Sequence, residues 1–227
     1  MSRVAGIIAE YNPFHNGHYY HIQKTKELTG TESIVAVISG NFTQRGEPSI
    51  VNKWSKAYMA ICGGADLVIE LPTIYAVSSA ENFASGAIKI LNELKIVDEL
   101  SFGAESKELS TLNNIANVLC DEPKQYLTIL SHELSKGISY PKARENAILM
   151  YLNDIKRYAN ILNSPNNILA IEYLKSIKRQ RCNIEPVMVE RKKVYYNEER
   201  IVDEFASSTG IRKLLLNREF EEIKKVI

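Results

Sequence analysis

His15 and His18 stand where an apolar run, Val4–Ala9, gives way to a helical pattern. An apolar run of this length without alternation is typical of a buried parallel strand. A strand, a glycine-containing loop and a helix N-terminus form a site where backbone N–H groups and the positive end of the helix dipole bind phosphate. Imidazoles at such a site donate hydrogen bonds to phosphate oxygens as charge develops on them. The segment therefore predicts a nucleotide-activating enzyme with His15 and His18 as catalytic residues.

Two other interpretations of these histidines involve no phosphate chemistry. Each could be an ordinary loop or helix-start residue, but their pairing beside Gly17 at a strand-to-helix junction favours function. Gly17 would let a phosphate approach the backbone closely. A zinc site is disfavoured because neither a nearby cysteine nor a third histidine is expected to complete a ligand set.

A second phosphate-binding segment is predicted near the end of the chain, at 207–212. A run of Ser and Thr before a helix is commonly no more than an N-cap. Arg212, however, falls in the first helical turn, where a cation opposes the helix dipole. An anion bound at the same helix N-terminus would remove that conflict. We therefore expect Ser208, Thr209 and Arg212 to hold phosphates if the fold brings them to the histidines.

Strand-length and helix-length patterns alternate along most of the chain, which predicts an α/β fold with a parallel sheet. Three successive helical segments without an intervening strand predict a helical insertion at 106–158, so that 1–105 and 159–227 form the catalytic domain. The expected strands are 4–9, 33–38, 66–70, 99–102 and 184–189. The expected helices are 18–28, 53–62, 79–94, 107–119, 122–136, 141–158, 166–177 and one from about 210. The expected N-caps are Asn16 or Gly17, Asn52, Ser78 or Ser79, Asn166 or Asn167, and 207–209.

A long polar loop, 39–48, leaves the carboxyl end of the second expected strand. Ligands of open α/β sheets bind at that end. Two interpretations remain open for 40–48: a lid that shields a reactive intermediate from water, or a solvated loop. As a lid it would offer Arg45 or Lys53 as an anion contact.

The composition indicates a globular protein, with 45% apolar residues and a net charge of +1 that demands neither a nucleic-acid nor a membrane partner. Cys62, Cys120 and Cys182 form no CxxC pair, which favours reduced thiols over a disulfide framework or a zinc ribbon. No apolar run has transmembrane length, and the N-terminus lacks the features of a signal peptide. We expect a soluble, cytoplasmic protein without a membrane partner; the sequence leaves the oligomeric state open.

The His15-Asn16-Gly17-His18 spacing, joined to the segment 207–212, resembles the HxGH nucleotidyltransferase superfamily. Within that superfamily, the chain resembles the tRNA(Met) cytidine acetate ligases. The further segments that carry the resemblance are 9–14, 39–48, 65–72, 102–103 and 164–169. The resemblance extends through essentially the whole chain and implies a Rossmann-like parallel sheet with a helical insertion.

The resemblance also implies an ATP-binding site. It places a continuous binding segment at 7–20 and single contacts at Gly103, at Asn166 (with Asn167 as the neighbouring possibility) and at Arg191. With the residues of the second phosphate segment, the expected ATP-binding residues are Ile7, Ile8, Ala9, Glu10, Tyr11, Asn12, Pro13, Phe14, His15, Asn16, Gly17, His18, Tyr19, Tyr20, Gly103, Asn166, Arg191, Ser208, Thr209 and Arg212.

The family activity implied by the resemblance is ATP-dependent activation of acetate to acetyl-adenylate. Acetylation of the wobble cytidine of elongator tRNA(Met), giving N4-acetylcytidine, would follow. ATP and Mg²⁺ are the implied cofactors, with Mg²⁺ bridging phosphates, and acetate and elongator tRNA(Met) are the implied partners. Basic and aromatic residues at 175–181 and 191–196 suit an RNA backbone track with base stacking. A solvated helix face and an edge strand would show the same pattern.

Two alternatives from other classes stay open. A small-molecule adenylyltransferase acting on a phosphorylated metabolite would use the same scaffold. A non-catalytic nucleotide- or RNA-binding module would bind ATP without exchanging pyrophosphate, although both histidines and the segment 207–212 disfavour it. Members of the resembled family continue beyond the last helix into a largely helical C-terminal region, which we expect to be absent here. A fragment and a short variant both fit that expectation.

Overall fold

The computed structural model describes residues 3–190 and 207–227. Within these residues, five strands form one sheet: β1 (Val4–Ala9), β2 (Ser33–Ser39), β3 (Leu67–Leu71), β4 (Glu99–Ala104) and β5 (Glu185–Glu190). The strand order is β3-β2-β1-β4-β5, and the β1–β2, β1–β4 and β2–β3 pairs are parallel. The prediction of an α/β fold built on a parallel sheet is confirmed.

β1 is the middle strand of the five, and it pairs with β2 on one side and with β4 on the other. Its residues face 33–38 of β2 in parallel register, and Ala5 lies opposite Glu99 of β4. The chain builds outward from β1 to β2 and β3, and then returns to the other side of β1 with β4. In open α/β sheets, ligands bind outside the carboxyl ends of the strands where the strand order reverses. That position here is the carboxyl end of β1, just before the two histidines.

The helices cover the sheet and form a separate cluster in the second half of the chain. Within the described residues, no helix is both long and apolar enough to cross a membrane. The helices are α1 (Asn16–Thr29), α2 (Lys53–Cys62), α3 (Thr73–Ala76), α4 (Ala80–Glu93), α5 (Leu109–Asp121), α6 (Lys124–Ser135), α7 (Tyr140–Leu152), α8 (Ile155–Tyr158), α9 (Pro165–Arg179), α10 (Ser208–Leu216) and α11 (Phe220–Ile223), with a 3₁₀ turn at Ile161–Asn163.

Local capping chemistry explains where several of these helices begin and end. Asn52 and Ser79 cap α2 and α4 through their side chains, as the sequence predicts. The helix expected at 141–158 is instead two helices. Asn153 adopts a left-handed conformation at the end of α7, and Asp154 then caps α8. The short helices α3 and α11 carry too few residues to show a helical period, and the sequence did not predict them.

The chain divides into two compact units, Met1–Gly103 with Asn183–Ile227, and Ala104–Cys182. The second unit holds the helical segment predicted at 106–158 and also α9. Packing explains why α9 belongs to it: Lys178 of α9 pairs with Asp121 of α5 at 2.7 Å. Buried Glu172 of α9 bonds Arg144 of α7, at 3.1 Å.

Candidate active site

α1 begins with a cap made by a histidine. His15 is the N-cap of α1, and its Nδ1 accepts a hydrogen bond from the backbone N–H of Gly17 at 3.0 Å. The backbone N–H of His15 in turn donates to Nδ1 of His18 at 3.3 Å. The expectation that Asn16 or Gly17 caps this helix is therefore wrong. An imidazole nitrogen with an unshared electron pair serves here as the acceptor that Ser, Asp or Asn usually provides.

These two bonds fix the tautomers of both rings. A ring nitrogen that accepts from a backbone N–H carries no proton, so the neutral forms of His15 and His18 carry their proton on Nε2. The two rings lie against each other with centroids 3.8 Å apart and planes tilted by 31°. Nε2 of His15 lies 3.1 Å from Oγ of Ser208 and donates to it in this tautomer. Both rings are therefore oriented as hydrogen-bond donors, and Nδ1 of each is committed to the helix start.

Gly17 is required by the position of the His15 ring. A Cβ atom at residue 17 would lie 2.9 Å from Cε1 and 3.0 Å from Nδ1 of His15. Any side chain there would push the ring away from its capping position and from Ser208. Close approach of a phosphate is the reason for Gly17 that the sequence predicts. The packing of His15 is a second and independent reason for glycine at this position.

Two aromatic side chains buttress His18 from the loop before α1. Buried Tyr11 lies edge-on to the ring, with centroids 4.7 Å apart, and Phe14 lies 5.5 Å away. Tyr11 adopts a positive φ of 48°, which is rare for a residue with a large side chain and occurs mainly at functional sites. Burial raises the pKa of the Tyr11 hydroxyl well above its usual value. Tyr11 is therefore a neutral, rigid support that limits rotation of the His18 ring.

The second predicted phosphate segment lies beside the first. Ser207 caps α10 by accepting from the backbone N–H of Gly210 at 3.0 Å. Ser208, in the first turn, meets His15 as described above. The Arg212 guanidinium donates to the Asn12 carbonyl at 3.0 Å and to Oγ1 of Thr209 at 3.1 Å. The fold thus brings together two segments that lie almost at opposite ends of the sequence.

The end of the chain also reaches the start of α1. The backbone N–H of Asn16 donates to the Val226 carbonyl at 2.9 Å, and its side-chain amide donates to the Lys225 carbonyl at 3.2 Å. Val226 is fully buried with Ile211 of α10. Residues 225–226 therefore satisfy one of the backbone donors that a helix leaves open at its N-terminus.

The polar loop after β2 is an ordered hairpin at 41–49. Phe42 and Pro48 form an antiparallel bridge, and the Ser49 N–H donates to the Asn41 carbonyl. Side chains of the loop after β1 hold it: Glu10 accepts from the Gln44 N–H, and Asn12 accepts from the Ile50 N–H at 2.7 Å. Of the two expected anion contacts, Arg45 is exposed and Lys53 pairs with Glu70 at 2.6 Å. The hairpin forms a fixed wall beside the Glu10–Asn12 backbone.

His21 is a third histidine close in sequence, and the structure commits its ring to a contact away from His15 and His18. Its Nε2 lies 3.0 Å from Oγ of Ser101, which lies 2.6 Å from Oγ1 of Thr25. Thr25 donates its hydroxyl proton to the His21 carbonyl at 2.8 Å. Ser101 therefore donates to Thr25, and His21 Nε2 donates to Ser101. His21 thus joins α1 to β4 as a structural residue. Among the described residues, no three His, Cys, Asp or Glu side chains converge as metal ligands.

Asn166 and Asn167 have different roles within the second unit. Asn167 is 3% exposed, and its Oδ1 accepts from the backbone N–H groups of Glu105 and Ser106, both at 3.0 Å. The Asn166 amide is at the surface and donates to the Glu105 carboxylate at 2.6 Å. The N-cap of α9 is Ser164, so the expectation that either asparagine caps this helix is wrong. Of the two, Asn166 has the amide accessible to a ligand.

Replacing Asn167 with alanine is expected to destabilise the chain by about 2–4 kcal/mol, because two backbone donors lose their acceptor. Asn166→Ala is the matched control, and we expect it to cost less than about 1 kcal/mol since its hydrogen bond is exposed. Urea unfolding followed by circular dichroism measures both. Equal losses in the two variants would contradict the structural role of Asn167.

The remaining predicted contacts divide between described and undescribed residues. Gly103 lies in β4, and Arg191 lies outside the described residues, as do the basic and aromatic residues 192–196. Within 175–181, three cations are engaged inside the second unit: Lys175 is buried against Glu172, Lys178 pairs with Asp121, and Arg179 donates to the Leu119 carbonyl. The alternative of an ordinary packed helix therefore fits these three better than an RNA track.

The fold and the candidate site are of the kind found in α/β domains that bind nucleotide phosphates at helix N-termini. The N-termini of α1 and α10, with imidazole, hydroxyl and guanidinium groups, meet at the switch point of the parallel sheet. The model of the HIGH Nucleotidyl Transferase family matches residues 2–227, and the chain belongs to that family. This assignment agrees with the resemblance on which the sequence analysis relied.

Two curated relatives with high identity carry the same name. The chain is 50% identical over 224 residues to a tRNA(Met) cytidine acetate ligase of Thermoanaerobacter sp. (strain X514), with 99% of this chain and 56% of the relative covered. It is 49% identical over 213 residues to that of Acetivibrio thermocellus, covering 94% of this chain and 51% of the relative. The chain spans about half the length of the curated relatives it matches.

Solved structures agree on the fold. Apo Thermotoga maritima TmcAL (form I) superposes with a TM-score of 0.93 at 35% identity, over 98% of this chain and 53% of that one. T. maritima TmcAL bound with alpha-thio ATP (form II) superposes with a TM-score of 0.90 at the same identity, over 99% and 53%.

Proposed function

We propose that this chain binds ATP at the paired helix N-termini and forms acetyl-adenylate from ATP and acetate. The observation that carries the proposal is the hydrogen bond between His15 Nε2 and Ser208 Oγ, since it joins the two predicted phosphate sites. The alpha-thio ATP complex of T. maritima TmcAL and the shared name of the curated relatives support the same reaction. Elongator tRNA(Met) is the proposed acceptor, and the cytoplasm the proposed location.

In the proposed reaction a carboxylate oxygen of acetate attacks the α-phosphorus of ATP. The bond from this phosphorus to the bridging oxygen breaks, and pyrophosphate leaves with its electron pair. The protein supplies no nucleophile, so catalysis consists of holding two anions together and stabilising the charge that develops on the phosphate. His18 donates to the α-phosphate through Nε2, and His15 positions Ser208. Thr209, Arg212 and the α10 N-terminus bind the β- and γ-phosphates.

The second proposed step consumes the acetyl-adenylate. The N4 amino group of the wobble cytidine attacks the acetyl carbonyl, AMP leaves, and one proton is lost from the nitrogen. Water must be kept from the acyl-adenylate until then. The hairpin at 41–49 is a suitable wall because it is held by Glu10 and Asn12.

Mg²⁺ fits this site as an ion carried by the nucleotide. The described residues offer no cluster of three ligating side chains, whereas Mg²⁺ at phosphates keeps several waters and needs one or two carboxylates at most. Bound there, it would neutralise charge on the leaving pyrophosphate. The further ATP contacts proposed at Gly103, Asn166 and Arg191 are tested by single substitutions in the same assay.

ATP–pyrophosphate exchange with a panel of carboxylates tests the proposal. Acetate is expected to support exchange, and purified elongator tRNA(Met) is then expected to accept the acetyl group. Exchange that responds to a phosphorylated metabolite and not to acetate would indicate a small-molecule adenylyltransferase instead. ATP binding without exchange under all acceptors would indicate a binding module.

A further inference from the structure

Lys56 is a fully buried lysine that the proposed reaction does not use. It is 0% exposed on the inner face of α2, although lysine is almost never fully buried unless it is paired. Its Nζ donates to the Gly40 carbonyl at 2.8 Å, to Ser49 Oγ at 3.0 Å and to Ser39 Oγ at 3.2 Å. An ammonium has three N–H groups, so each one has an acceptor.

The three acceptors lie at the two ends of the hairpin at 41–49. Ser39 and Gly40 lead into it from β2, and Ser49 ends it, so the ammonium bridges its two ends, beside the hydrogen bond that Ser49 Oγ donates to the Gly40 carbonyl at 3.3 Å. The hairpin in turn touches the loop after β1 through Glu10 and Asn12. A short chain of hydrogen bonds therefore runs from Lys56 to the backbone that precedes His15.

We propose that Lys56 is a positioning residue for adenylation: its ammonium bridges the two ends of the 41–49 hairpin and thereby holds the Glu10–Asn12 loop in place for the phosphate site. Lys56 itself touches no substrate. Its effect on activity rests on the proposed function, whereas its effect on the hairpin does not.

The charge on Lys56 is part of this role. Burial lowers its pKa to about 8, against the opposing attraction of Glu10, after β1, and Glu70, on β3. Glu70 is shared with Lys53 of α2. A neutral amine has two N–H donors and no charge, so loss of the proton removes one donor from the three contacts and takes the Lys56 charge away from Glu10, whereas Glu70 keeps the charge of Lys53. The hairpin is then held less firmly, and the site becomes more negative toward ATP.

Stability and activity respond to this proton in opposite directions. Between about pH 8 and pH 10.5, the unfolded chain keeps the Lys56 proton while the folded chain has lost it. The unfolded state therefore binds more protons, and the contribution of Lys56 to folding stability rises with pH. Activity falls over the same range if the ammonium positions the site. A lysine with only a structural role would not lower activity over the pH range in which it raises stability.

Lys56→Met, Lys56→Arg and the exposed control Lys89→Met test the proposal. In Lys56→Met, amide hydrogen exchange at Thr43, Gln44 and Ser49 is expected to rise about tenfold, and kcat/KM for ATP in pyrophosphate exchange to fall about 10–100-fold. The fall in rate on the alkaline side of the wild-type pH profile should disappear. Lys56→Arg retains a charge that does not titrate, so it should recover part of the rate without that alkaline fall. Lys89→Met should match the wild type throughout.

Unchanged amide exchange in a folded Lys56→Met chain would overturn the proposal, as would an alkaline fall that persists in it. The unsubstituted chain gives a check that needs no variant. An exchange rate that does not change with pH up to about pH 10 would also contradict the proposal. If the wild type lacks acetate-dependent exchange, the proposed function fails. The hydrogen-exchange comparison then still decides whether Lys56 holds the hairpin.

Discussion

His18→Ala is expected to lower acetate-dependent ATP–pyrophosphate exchange by about 10²–10³-fold, the usual loss when one charge-stabilising donor is removed. Nε2 of His18 carries the proton because Nδ1 accepts from the His15 N–H. The alanine variant loses that donor and also the capping acceptor. Steady-state exchange at saturating acetate measures the loss, and it should appear mainly in kcat because the donor acts on charge that grows in the transition state.

A companion variant separates the two functions of the ring. In His18→Asn, a side-chain oxygen can take the place of Nδ1, so the helix start and the melting temperature should recover while the rate stays low. His132→Ala, an exposed histidine on α6, is the matched control and should leave exchange unchanged. Near wild-type exchange in His18→Ala would exclude His18 as a catalytic residue.

Arg212→Lys is expected to reduce kcat/KM for ATP by about 10²-fold. The guanidinium reaches the Asn12 carbonyl and Thr209 through different nitrogens, and a single ammonium cannot span both and face a phosphate as well. The loss should appear in KM for ATP as well as in kcat, because both the bound nucleotide and the loop before His15 lose support.

Arg218→Lys provides the control for this substitution, since Arg218 is exposed just beyond α10. Initial rates over a range of ATP concentrations give KM and kcat for each variant. If Arg212→Lys bound ATP and exchanged pyrophosphate like the wild type, Arg212 would have no role beyond packing α10 against the loop.

The sheet could be predicted from sequence because its central strands are buried on both faces. β1 and β2 read as continuous apolar runs, and their bounds were predicted to within one residue. Helix starts were less predictable where an unusual group does the capping. Histidine is not among the common N-cap residues, so the local pattern placed the beginning of α1 near His18 instead of at Asn16.

The residues of the candidate site could be named from the sequence, but their arrangement could not. Both histidines, Ser208 and Arg212 were predicted to contact phosphate, and these roles stay predictions, whereas the structure shows that His15 bonds Ser208. Contact between His15 and Ser208 spans 193 positions, and no local period reveals such a pair. Lys56 was missed for another reason. A lysine on a helix is usually a surface residue, and only the three oxygens around Nζ show that this one is interior.

The bonds from Asn16 to residues 225 and 226 bear on how the site forms during synthesis. Asn16 and Lys225 are 209 positions apart, which at about 5–20 residues per second is a delay of about 10–40 s on the ribosome. β1 and α1 therefore emerge long before the residues that complete the start of α1. Until then the nascent chain can fold its sheet, but its histidines lack both Ser208 and the carbonyls of the last turn. The proposed phosphate site is thus among the last parts of this chain to be assembled.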